Sequence, residues 1–408
     1  MPPVVKRRLQ TITIVGGSLA GLRAAEALRR EGFDGRLAIV SGENHLPYDR
    51  PPLSKQVLAG AWEPERARLF GAAEVDAEWL LGVRATGFDA ATRTLLLDRG
   101  DEMTADGVII ATGATPRRLP GPELRGVHTL RTMSDCLALR DELESAARVA
   151  VVGSGFIGSE VASTCRGRGL DVTVIEALPV PLERALGPIM GDICGRLHPA
   201  NGVDLRLGVG VDALEGDGGR VERVRLSDGS AIEADVVVVG IGVLPETGWL
   251  DGSGLTIDNG VVCDAWCQAA PGVVAAGDVA RWYNPLFDVM MRVEHWANAV
   301  EQSEAAARTL VHGADGTVPF APVPYFWSDQ YDAKIQFLGH AAAGDDVMVV
   351  EGSPEEGRFV AAYGRDGRLV GALLFNRPAR LPRFKSLIAE RASFPPAVPP
   401  AVPAVPPA

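Results

Sequence analysis

The sequence predicts an α/β protein with two doubly wound, Rossmann-like nucleotide-binding domains and a C-terminal α+β domain. An internal repeat indicates the paired domains: residues 11–32 and 148–169 each begin with a β-branched run and continue through a glycine-rich turn into a helical pattern. Another apolar run follows each repeat, which predicts two βαβ units with parallel strands. Beyond residue 322, alternating apolar and polar residues between glycines are typical of antiparallel strands and predict the last domain.

Local residue chemistry predicts where the elements of these domains end. The helices of the two repeats are expected to stop at Gly32 and Gly169, because glycine favours the backbone conformation that terminates helices. Three further apolar strands, each ending in a glycine-containing turn, are predicted within residues 106–114, 234–242 and 271–280.

Composition and charge exclude several classes of protein. With 408 residues, 47% hydrophobic and 23% charged, the chain is typical of a globular enzyme with two or three domains. Its net charge of −12 argues against a general binder of nucleic acid or anionic membranes. No apolar run reaches the roughly 18 residues of a membrane span, and the N-terminus does not resemble a signal peptide. The five cysteines are an odd number, so we expect a reducing, cytoplasmic location rather than a disulfide framework.

The second glycine motif has the full dinucleotide-binding fingerprint. Gly153 makes the tight turn, Gly155 lets the backbone approach a pyrophosphate, and Gly158 lets the helix pack on the strand. Glu176 ends the next strand, 18 residues past Gly158, where a carboxylate accepts from a ribose 2′-hydroxyl and repels a 2′-phosphate. The motif therefore favours NADH over NADPH, the alternative being a tight strand–helix turn that binds nothing.

The first glycine motif is less complete. Ser18 stands where the second glycine is expected, so its β-carbon crowds a pyrophosphate although its hydroxyl can donate to one. Glu43 lies 22 residues past Gly21, as an adenosine-binding carboxylate would. Two such units indicate two nucleotides, or one duplication with one inactive site. FAD with a nicotinamide nucleotide is the usual pair, and Asp278, after a buried strand, is placed either for flavin ribityl hydroxyls or as a turn aspartate.

Several longer segments carry a family resemblance that covers residues 10–393. The chain resembles the FAD-dependent ferredoxin reductases of the glutathione-reductase-like flavoprotein superfamily, of the putidaredoxin, rhodocoxin and biphenyl-dioxygenase reductase type. The most specific segments are HLPYDRPPLSK (45–55), ATGATPRRLPG (111–121), LRTMSD (130–135), EALPVPLERALG (176–187), AAGDVA (275–280), EHWANAVEQ (294–302) and YFWSDQYDAKIQFLGH (325–340).

The resemblance implies FAD and NADH as cofactors and assigns residues to each. For FAD it implies contacts from Gly16, Ser18, Leu19, Ala20, Gly21, Gly42, Glu43, Arg50, Lys55, Ala85, Ala111, Thr112, Gly113, Arg131, Gly277, Asp278, Glu294, His295 and Trp296. For the nicotinamide nucleotide it implies Gly153, Gly155, Phe156, Ile157, Gly158, Glu160, Glu176, Arg184 and Gly242.

Some of these residues have more specific implied roles. Lys55 would lie near flavin N5 and pair with Glu160, and these two form the predicted catalytic pair. Trp296 would lie along the pyrimidine side of the flavin, the alternative being a core tryptophan. Arg50 has two anionic targets in reach, the FAD phosphates or Glu43.

Two further positions concern the adenosine ends of the nucleotides. The resemblance implies that Arg184, with Glu176, would flank the NADH adenosine ribose. Many relatives have an aspartate where this chain has Gly42, which leaves open whether Gly42 or Glu43 marks the FAD ribose contact.

The cysteine spacing bears on where electrons leave the flavin. Disulfide reductases of the superfamily use paired cysteines beside the flavin, but neither C-x-x-C nor C-x₄-C occurs here. Cys263 and Cys267 are expected to be packing residues away from the glycine motifs, and no ligand spacing for a metal is present. We therefore expect electrons to pass outward, and the resemblance implies that the acceptor is a 2Fe-2S ferredoxin that serves an oxygenase. The alternatives are a small acceptor such as a quinone or oxygen, or a redox interaction protein like apoptosis-inducing factor.

An acidic ferredoxin requires a local basic surface on this acidic chain. Two clusters are candidates, although either is equally consistent with ordinary solvated charge: Arg66 with Arg68, and the basic segment formed by Arg377, Arg380, Arg383, Lys385 and Arg391.

The resulting domain prediction has four parts. The boundaries are 1–115 with 244–321 for an FAD domain, 116–243 for an NADH domain, 322–393 for an α+β interface domain, and 394–408 for a disordered proline-rich tail.

Overall fold

A computed structural model of the chain describes residues 9–396. It divides into two compact units: the first comprises Met1–Pro179 and His198–Pro322, the second Val180–Leu197 and Val323–Ala408. The predicted boundary near residue 322 coincides with the start of Val323. The second unit also takes in Val180–Leu197, which the prediction had placed in the NADH domain.

The structure contains seven α-helices within the described residues. They are α1 (Leu19–Arg30), α2 (Met133–Leu143), α3 (Phe156–Gly167), α4 (Glu183–Gly195), α5 (Leu197–Ala200), α6 (Trp296–His312) and α7 (Leu381–Ala389).

Twenty-seven strands accompany them in the same part of the chain. The first eleven are β1 (Thr11–Val15), β2 (Arg36–Ser41), β3 (Glu78–Leu81), β4 (Ala85–Asp89), β5 (Thr94–Leu97), β6 (Glu102–Thr104), β7 (Gly107–Ile110), β8 (Ala114–Pro116), β9 (Val127–His128), β10 (Arg148–Val152) and β11 (Asp171–Glu176). The next eleven are β12 (Asp204–Leu207), β13 (Val211–Asp217), β14 (Arg220–Leu226), β15 (Ala231–Glu233), β16 (Val236–Val239), β17 (Val243–Pro245), β18 (Val261–Cys263), β19 (Gln268–Ala270), β20 (Val273–Ala275), β21 (Ala280–Asn284) and β22 (Val289–Met291). The last five are β23 (Tyr325–Gln330), β24 (Ala333–Gly339), β25 (Asp346–Ser353), β26 (Arg358–Arg365) and β27 (Arg368–Phe375).

The first repeat forms a six-stranded sheet in the order β19-β20-β7-β1-β2-β3, parallel except for β19. Apart from its first residue, β1 is buried throughout, as expected for a strand between layers. Strand β20 pairs with β7 although more than 150 residues separate them along the chain. This pairing is the physical basis for expecting a split FAD domain.

The second repeat forms a five-stranded sheet in the order β12-β11-β10-β16-β9, with parallel pairing at each step. The two repeats therefore fold alike, each with a glycine turn between its first strand and its helix. Helix α1 ends at Arg30, and Gly32 lies two residues later with φ of +85°. Helix α3 ends at Gly167, and Gly169 lies two residues later with φ of +84°. Both predicted helix ends are confirmed to within two residues.

Strands β23 to β27 of the second unit form an antiparallel five-stranded sheet in the order β23-β24-β27-β26-β25, with α7 packed on β24 and β27. In the same unit, the hydroxyl of Tyr363 donates to the carbonyl of Leu186 at 2.8 Å. The predicted fold class is thus confirmed: two parallel nucleotide-binding sheets in the first unit and an α+β arrangement in the second.

The structure corrects two predictions, one about the proline-rich C-terminal tail and one about the position of the cysteines. Phe394 does not belong to a disordered tail, because its N–H donates to the carbonyl of Gly367 at 2.8 Å and its ring packs on Gly364. Residues 397–408 lie outside the described part of the chain.

All five cysteines are free and buried, as expected for packing residues. Cys267 nevertheless lies in the same core cluster as Leu19 and Ala20, so it is not remote from the first glycine motif.

The helices of the described residues include none that combines the length and the hydropathy needed to cross a bilayer.

Candidate functional site

The first glycine turn brings the ends of two parallel strands together. Gly16 has φ of +119°, and a β-carbon there would lie 2.1 Å from the carbonyl oxygen of Ala111. A β-carbon on Gly21 would lie 1.9 Å from the carbonyl oxygen of Gly16. Only glycine fits at these two positions, so the backbone of the turn lies directly beside Ala111 and the residues that follow β7, Thr112 and Gly113.

Arg50 connects this turn to Glu43. Its Nη2 lies 2.7 Å from Glu43 Oε1, and its Nε donates to the Ser18 hydroxyl at 3.3 Å. Its Nη1 donates to the carbonyl oxygen of Arg131. Of the two targets left open by the sequence, Glu43 is in contact with Arg50, and the structure adds Ser18, the N-cap residue of α1.

Tyr48 holds the other carboxylate oxygen of Glu43. The Tyr48 hydroxyl donates to Glu43 Oε2 at 2.5 Å and accepts from the Met133 N–H at 2.9 Å. Burial, the largest cause, raises the pKa of Tyr48, so the phenol remains a donor at neutral pH. Glu43 is thus fixed between two side chains from the loop that follows β2.

Gly42 precedes this carboxylate and has a different neighbour. A β-carbon at Gly42 would lie 3.1 Å from Arg84 Cζ, so the Arg84 side chain passes over the position where many relatives have an aspartate. Ala85, the neighbour of Arg84, begins β4.

The predicted catalytic pair is assembled from residues 105 apart in sequence. Lys55 Nζ lies 2.6 Å from Glu160 Oε2, and the Ser54 hydroxyl donates to the same oxygen at 2.5 Å. Lys55 also donates to the carbonyl oxygen of Pro51 at 3.2 Å. The two charged side chains are only 14% and 4% exposed, so the pair is largely withdrawn from solvent. It joins the proline-containing loop to helix α3, the helix that follows the second glycine turn in the sequence.

Asp278 lies in a second charged cluster of the first unit. Its carboxylate accepts from Arg131 Nη2 at 2.7 Å. Arg292 donates to the Asp278 carbonyl at 3.1 Å and pairs with Glu294 at 2.8 Å. Burial raises the pKa of Glu294, with Arg292 opposing it. The Gly277 N–H before Asp278 donates to Gln302 at 2.9 Å, a contact that the sequence patterns did not indicate.

His295 and Trp296 begin helix α6. Burial lowers the pKa of His295 to about 4, so its imidazole is neutral at physiological pH. The indole Nε1 of Trp296 donates to Asp49 Oδ1 at 2.7 Å. Asp49 was not among the predicted site residues, although it stands within the segment that carries the family resemblance.

The second glycine turn repeats the geometry of the first. Gly153 has φ of +97°, and a β-carbon there would lie 2.4 Å from the carbonyl oxygen of Gly240. A β-carbon on Gly158 would lie 2.0 Å from the carbonyl oxygen of Gly153. At Gly155, by contrast, a β-carbon would meet no atom of the described residues within 4 Å. The missing side chain at Gly155 therefore leaves open space above the turn rather than relieving a clash.

Glu176 organises the same turn. Its Oε2 accepts from both the N–H and the hydroxyl of Ser154 at 2.8 Å, and its Oε1 accepts from the Leu178 N–H at 2.9 Å. Phe156 and Ile157 begin α3, and Ile157 remains 48% exposed beside the open space. Gly242 has φ of +99° near the end of the neighbouring strand β16. Arg184 lies in the first turn of α4, in the second unit.

The basic clusters are partly neutralised. Arg380 and Arg383 both bond to Glu351, at 2.6 and 3.0 Å. In the first unit, Arg66 lies 4.3 Å from the ring centroid of Trp62, and Arg68 pairs with Glu65 at 3.8 Å.

The residues at the first turn suit a dinucleotide. The turn offers backbone N–H groups at the start of α1, two guanidinium groups stand beside it, and Asp278 supplies a hydroxyl acceptor. At the second turn, no described atom lies within 4 Å of a β-carbon position on Gly155, so the backbone there is open to the approach of a ligand.

Comparison with known proteins identifies the family. Residues 10–303 match the family model described as pyridine nucleotide-disulphide oxidoreductase. The chain belongs to the pyridine nucleotide-disulphide oxidoreductase family. Residues 325–400 match a second model, described as reductase C-terminal. As a member of this family the chain is an oxidoreductase, and the family implies FAD and a nicotinamide nucleotide as its cofactors.

Relatives within the family match along nearly their whole length. The chain is 40% identical to the anthranilate 1,2-dioxygenase system ferredoxin–NAD(+) reductase component of Burkholderia cepacia, covering 92% of this chain and 93% of that protein. It is 37% identical to rhodocoxin reductase of Rhodococcus erythropolis, covering 90% and 87%. Among solved structures, the covalent putidaredoxin reductase–putidaredoxin complex matches with a TM-score of 0.89 and 32% identity, covering 94% of each chain.

Proposed function

We propose that this chain is an NADH-dependent ferredoxin reductase that supplies single electrons to a 2Fe-2S ferredoxin, which in turn serves an oxygenase. One observation carries the proposal: the chain combines two nucleotide turns with five cysteines that are all free and buried. A family member without a thiol pair must pass electrons from the flavin to an outside acceptor. The reductase components among its relatives use ferredoxins for this step.

When bound, FAD would supply an acceptor for the hydride of NADH and a donor of single electrons. The residues of this chain bind and orient the two ring systems so that this transfer needs little rearrangement. Arg50, Arg131 and the Gly16 turn would hold the FAD pyrophosphate. Asp278 would accept from the ribityl hydroxyls. Lys55, held by Glu160, would place a positive charge beside N5.

The second turn would hold the nicotinamide nucleotide. Gly155 would admit the pyrophosphate, and Glu176 would accept from the adenosine ribose while its other contacts keep the turn in place. The role of Arg184 stays a prediction from the family resemblance. We further propose a cytoplasmic location, since the buried free thiols suit a reducing compartment.

The basic segment is the proposed contact for an acidic ferredoxin. Glu351 neutralises part of the charge of Arg380 and Arg383. The attraction would therefore depend on the summed charge of all five cations rather than on one of them. Such an attraction weakens as salt is added. The KM for ferredoxin should therefore rise with ionic strength, whereas reduction of ferricyanide by NADH should change little.

Cytochrome c reduction by NADH tests the proposed function. The purified flavoprotein is assayed with and without an added 2Fe-2S ferredoxin, and with a quinone in parallel. A ferredoxin reductase will show strong stimulation by ferredoxin. If ferredoxin gives no stimulation while quinone is reduced rapidly, the chain is a reductase of small acceptors. Slow NADH oxidation with every acceptor would instead indicate an interaction protein.

A further inference from the structure

Asp49 is a carboxylate of the first unit that the proposed chemistry does not use. Its Oδ1 accepts from the Trp296 indole N–H at 2.7 Å, across 247 residues of chain. Indole has a single donor, so this is the one conventional hydrogen bond that the Trp296 side chain can donate. A hydrogen bond to a carboxylate is also stronger than one between neutral groups.

Both ends of this contact stand on a fixed backbone. The Asp49 N–H donates to the carbonyl oxygen of Ala67 at 2.7 Å, and the backbone of the neighbouring Tyr48 forms an isolated antiparallel β-bridge with that of Arg68. Directly after Asp49 and Arg50, residues 51–54 form a short 3-10 helix that begins with two prolines. Trp296 is the first residue of the 17-residue helix α6. Trp296 also packs against the core cluster of the first unit, so the hydrogen bond and this packing together hold the indole ring.

The surroundings of Asp49 connect it with the proposed flavin contacts. Burial raises the pKa of Asp49, while the Trp296 hydrogen bond and the charges of Arg23 and Lys55 lower it. Lys55 is the cation of the pair with Glu160. His295 is the N-cap residue of α6 and its side chain makes no capping hydrogen bond, while Asp49 accepts from the indole N–H of Trp296.

We propose that Asp49 is a positioning residue that fixes the Trp296 indole against the flavin. This inference rests on the proposed function and on the position that the family resemblance implies for Trp296, along the pyrimidine side of FAD. It adds a residue from the proline-containing loop whose role is to orient the tryptophan rather than to touch the cofactor.

The test measures release of FAD from the purified holoenzyme, followed by the rise in flavin fluorescence. Four variants are compared with the unmodified protein: Asp49→Asn, Asp49→Leu, Trp296→Phe and the Asp49→Leu/Trp296→Phe double variant. Asp49→Leu has a similar size but no acceptor, whereas Asp49→Asn keeps a carbonyl oxygen that the indole can reach. Thermal unfolding of each variant shows whether any change in release reflects a general loss of stability.

We expect Asp49→Leu to accelerate FAD release about tenfold, since a hydrogen bond to a charged group contributes roughly 1.5–3 kcal/mol. Asp49→Asn should stay within about twofold of the unmodified protein. In the Trp296→Phe background, Asp49→Leu should have no further effect, because the donor is already gone. A shift of the flavin absorption band should accompany Asp49→Leu only when Trp296 is present.

Two results would overturn the inference: an unchanged release rate in Asp49→Leu, or the same acceleration in the Trp296→Phe background. If Asp49→Leu does not fold, Asp49→Ala, which also lacks an acceptor, takes its place in the single and double variants, and the same two results overturn the inference. Purified protein that binds no FAD would contradict the proposed function itself. Bound FAD with a release rate independent of Asp49 contradicts only the role of Asp49.

Discussion

Lys55 and Glu160 show how a single pair of residues joins two nucleotide units. Withdrawing two charges from water is costly, and their attraction offsets this cost only when the geometry is good and the remaining polar atoms are bonded. Here Ser54 donates to the shared carboxylate oxygen and Pro51 accepts from the ammonium group. The pair is therefore satisfied on both sides, and removal of one member leaves the other charge buried without compensation.

Replacement of Lys55 by Met should lower the free energy of unfolding by about 3–5 kcal/mol, because Glu160 then stays buried without its cation. Ser54→Ala is the matched control, since it removes a donor to the same carboxylate but no charge, and should cost about 2 kcal/mol. Urea unfolding measures both variants. Rapid-mixing measurements of flavin reduction by NADH should show a slower step for Lys55→Met. Equal stability of the two variants would contradict this account of the pair.

Glu176 is predicted from its spacing to contact a ribose, and in the structure it also holds the second glycine turn in place. Glu176→Ala should raise the KM for NADH about tenfold and relax discrimination against NADPH, because it removes both the ribose acceptor and the partner of Ser154. Glu176→Gln separates the effects: it removes the charge but retains an oxygen for the turn. Steady-state kinetics with both nucleotides provide the measurement. A preference of the unmodified protein for NADPH would refute the argument.

At the scale of elements, the two glycine turns use glycine in different ways. At Gly16, Gly21, Gly153 and Gly158 a β-carbon would collide with backbone, so these glycines allow strand and helix to pack. Gly155 has φ of −68° and open space around its α-carbon, so folding alone does not require glycine there. Its conformation suits any residue, and the missing side chain is explained by a ligand that approaches the backbone.

Gly155→Ala should therefore fold normally yet raise the KM for NADH by about tenfold, as the added methyl group crowds the pyrophosphate. Gly167→Ala is the matched control: it lies at the end of the same helix, also meets no described atom within 4 Å, and is expected to leave the KM unchanged. Thermal unfolding and NADH kinetics on both variants make the comparison. A Gly155→Ala protein with unchanged KM would show that no nucleotide approaches this turn.

For the molecule as a whole, two histidines whose pKa values are lowered in the fold make stability depend on pH. Burial lowers the pKa of both His198 and His295 to about 4. Above the unfolded value of about 6.5, both are neutral in either state and contribute nothing. As the pH falls from about 6.5 to 4, the unfolded chain binds protons that the folded chain does not, so stability is lost.

When the pH falls from 7.5 to 5, the lowered pKa of each of these histidines should reduce the free energy of unfolding by about 2 kcal/mol. His198→Gln should reduce this loss, whereas replacement of the exposed His45 by Gln should not. Urea unfolding at both pH values measures the difference. The raised pKa values of Asp49 and Glu294 act in the opposite direction, so the comparison between variants isolates the histidine. Identical pH dependence in His198→Gln and the unmodified protein would refute the prediction.

The sequence by itself determined the repeated strand–turn–helix units, both helix ends and the antiparallel strands of the second unit. These features depend on local backbone chemistry: glycine at positive φ, apolar runs at strand spacing, and alternation along exposed strands. The pairing of Lys55 with Glu160 was also predicted, but only through resemblance to a family, since no local pattern connects residues that far apart.

Only the tertiary structure decided which partner each charged side chain takes. Arg50 contacts Glu43, Ser18 and Arg131 together, and only the packing of the loop brings these three groups around one guanidinium group. Asp49 meets Trp296 because two rigid backbones from distant parts of the chain approach each other. Spacing along the chain cannot specify such contacts, because a long polar side chain has several acceptors in range and only the packed fold fixes the distances among them.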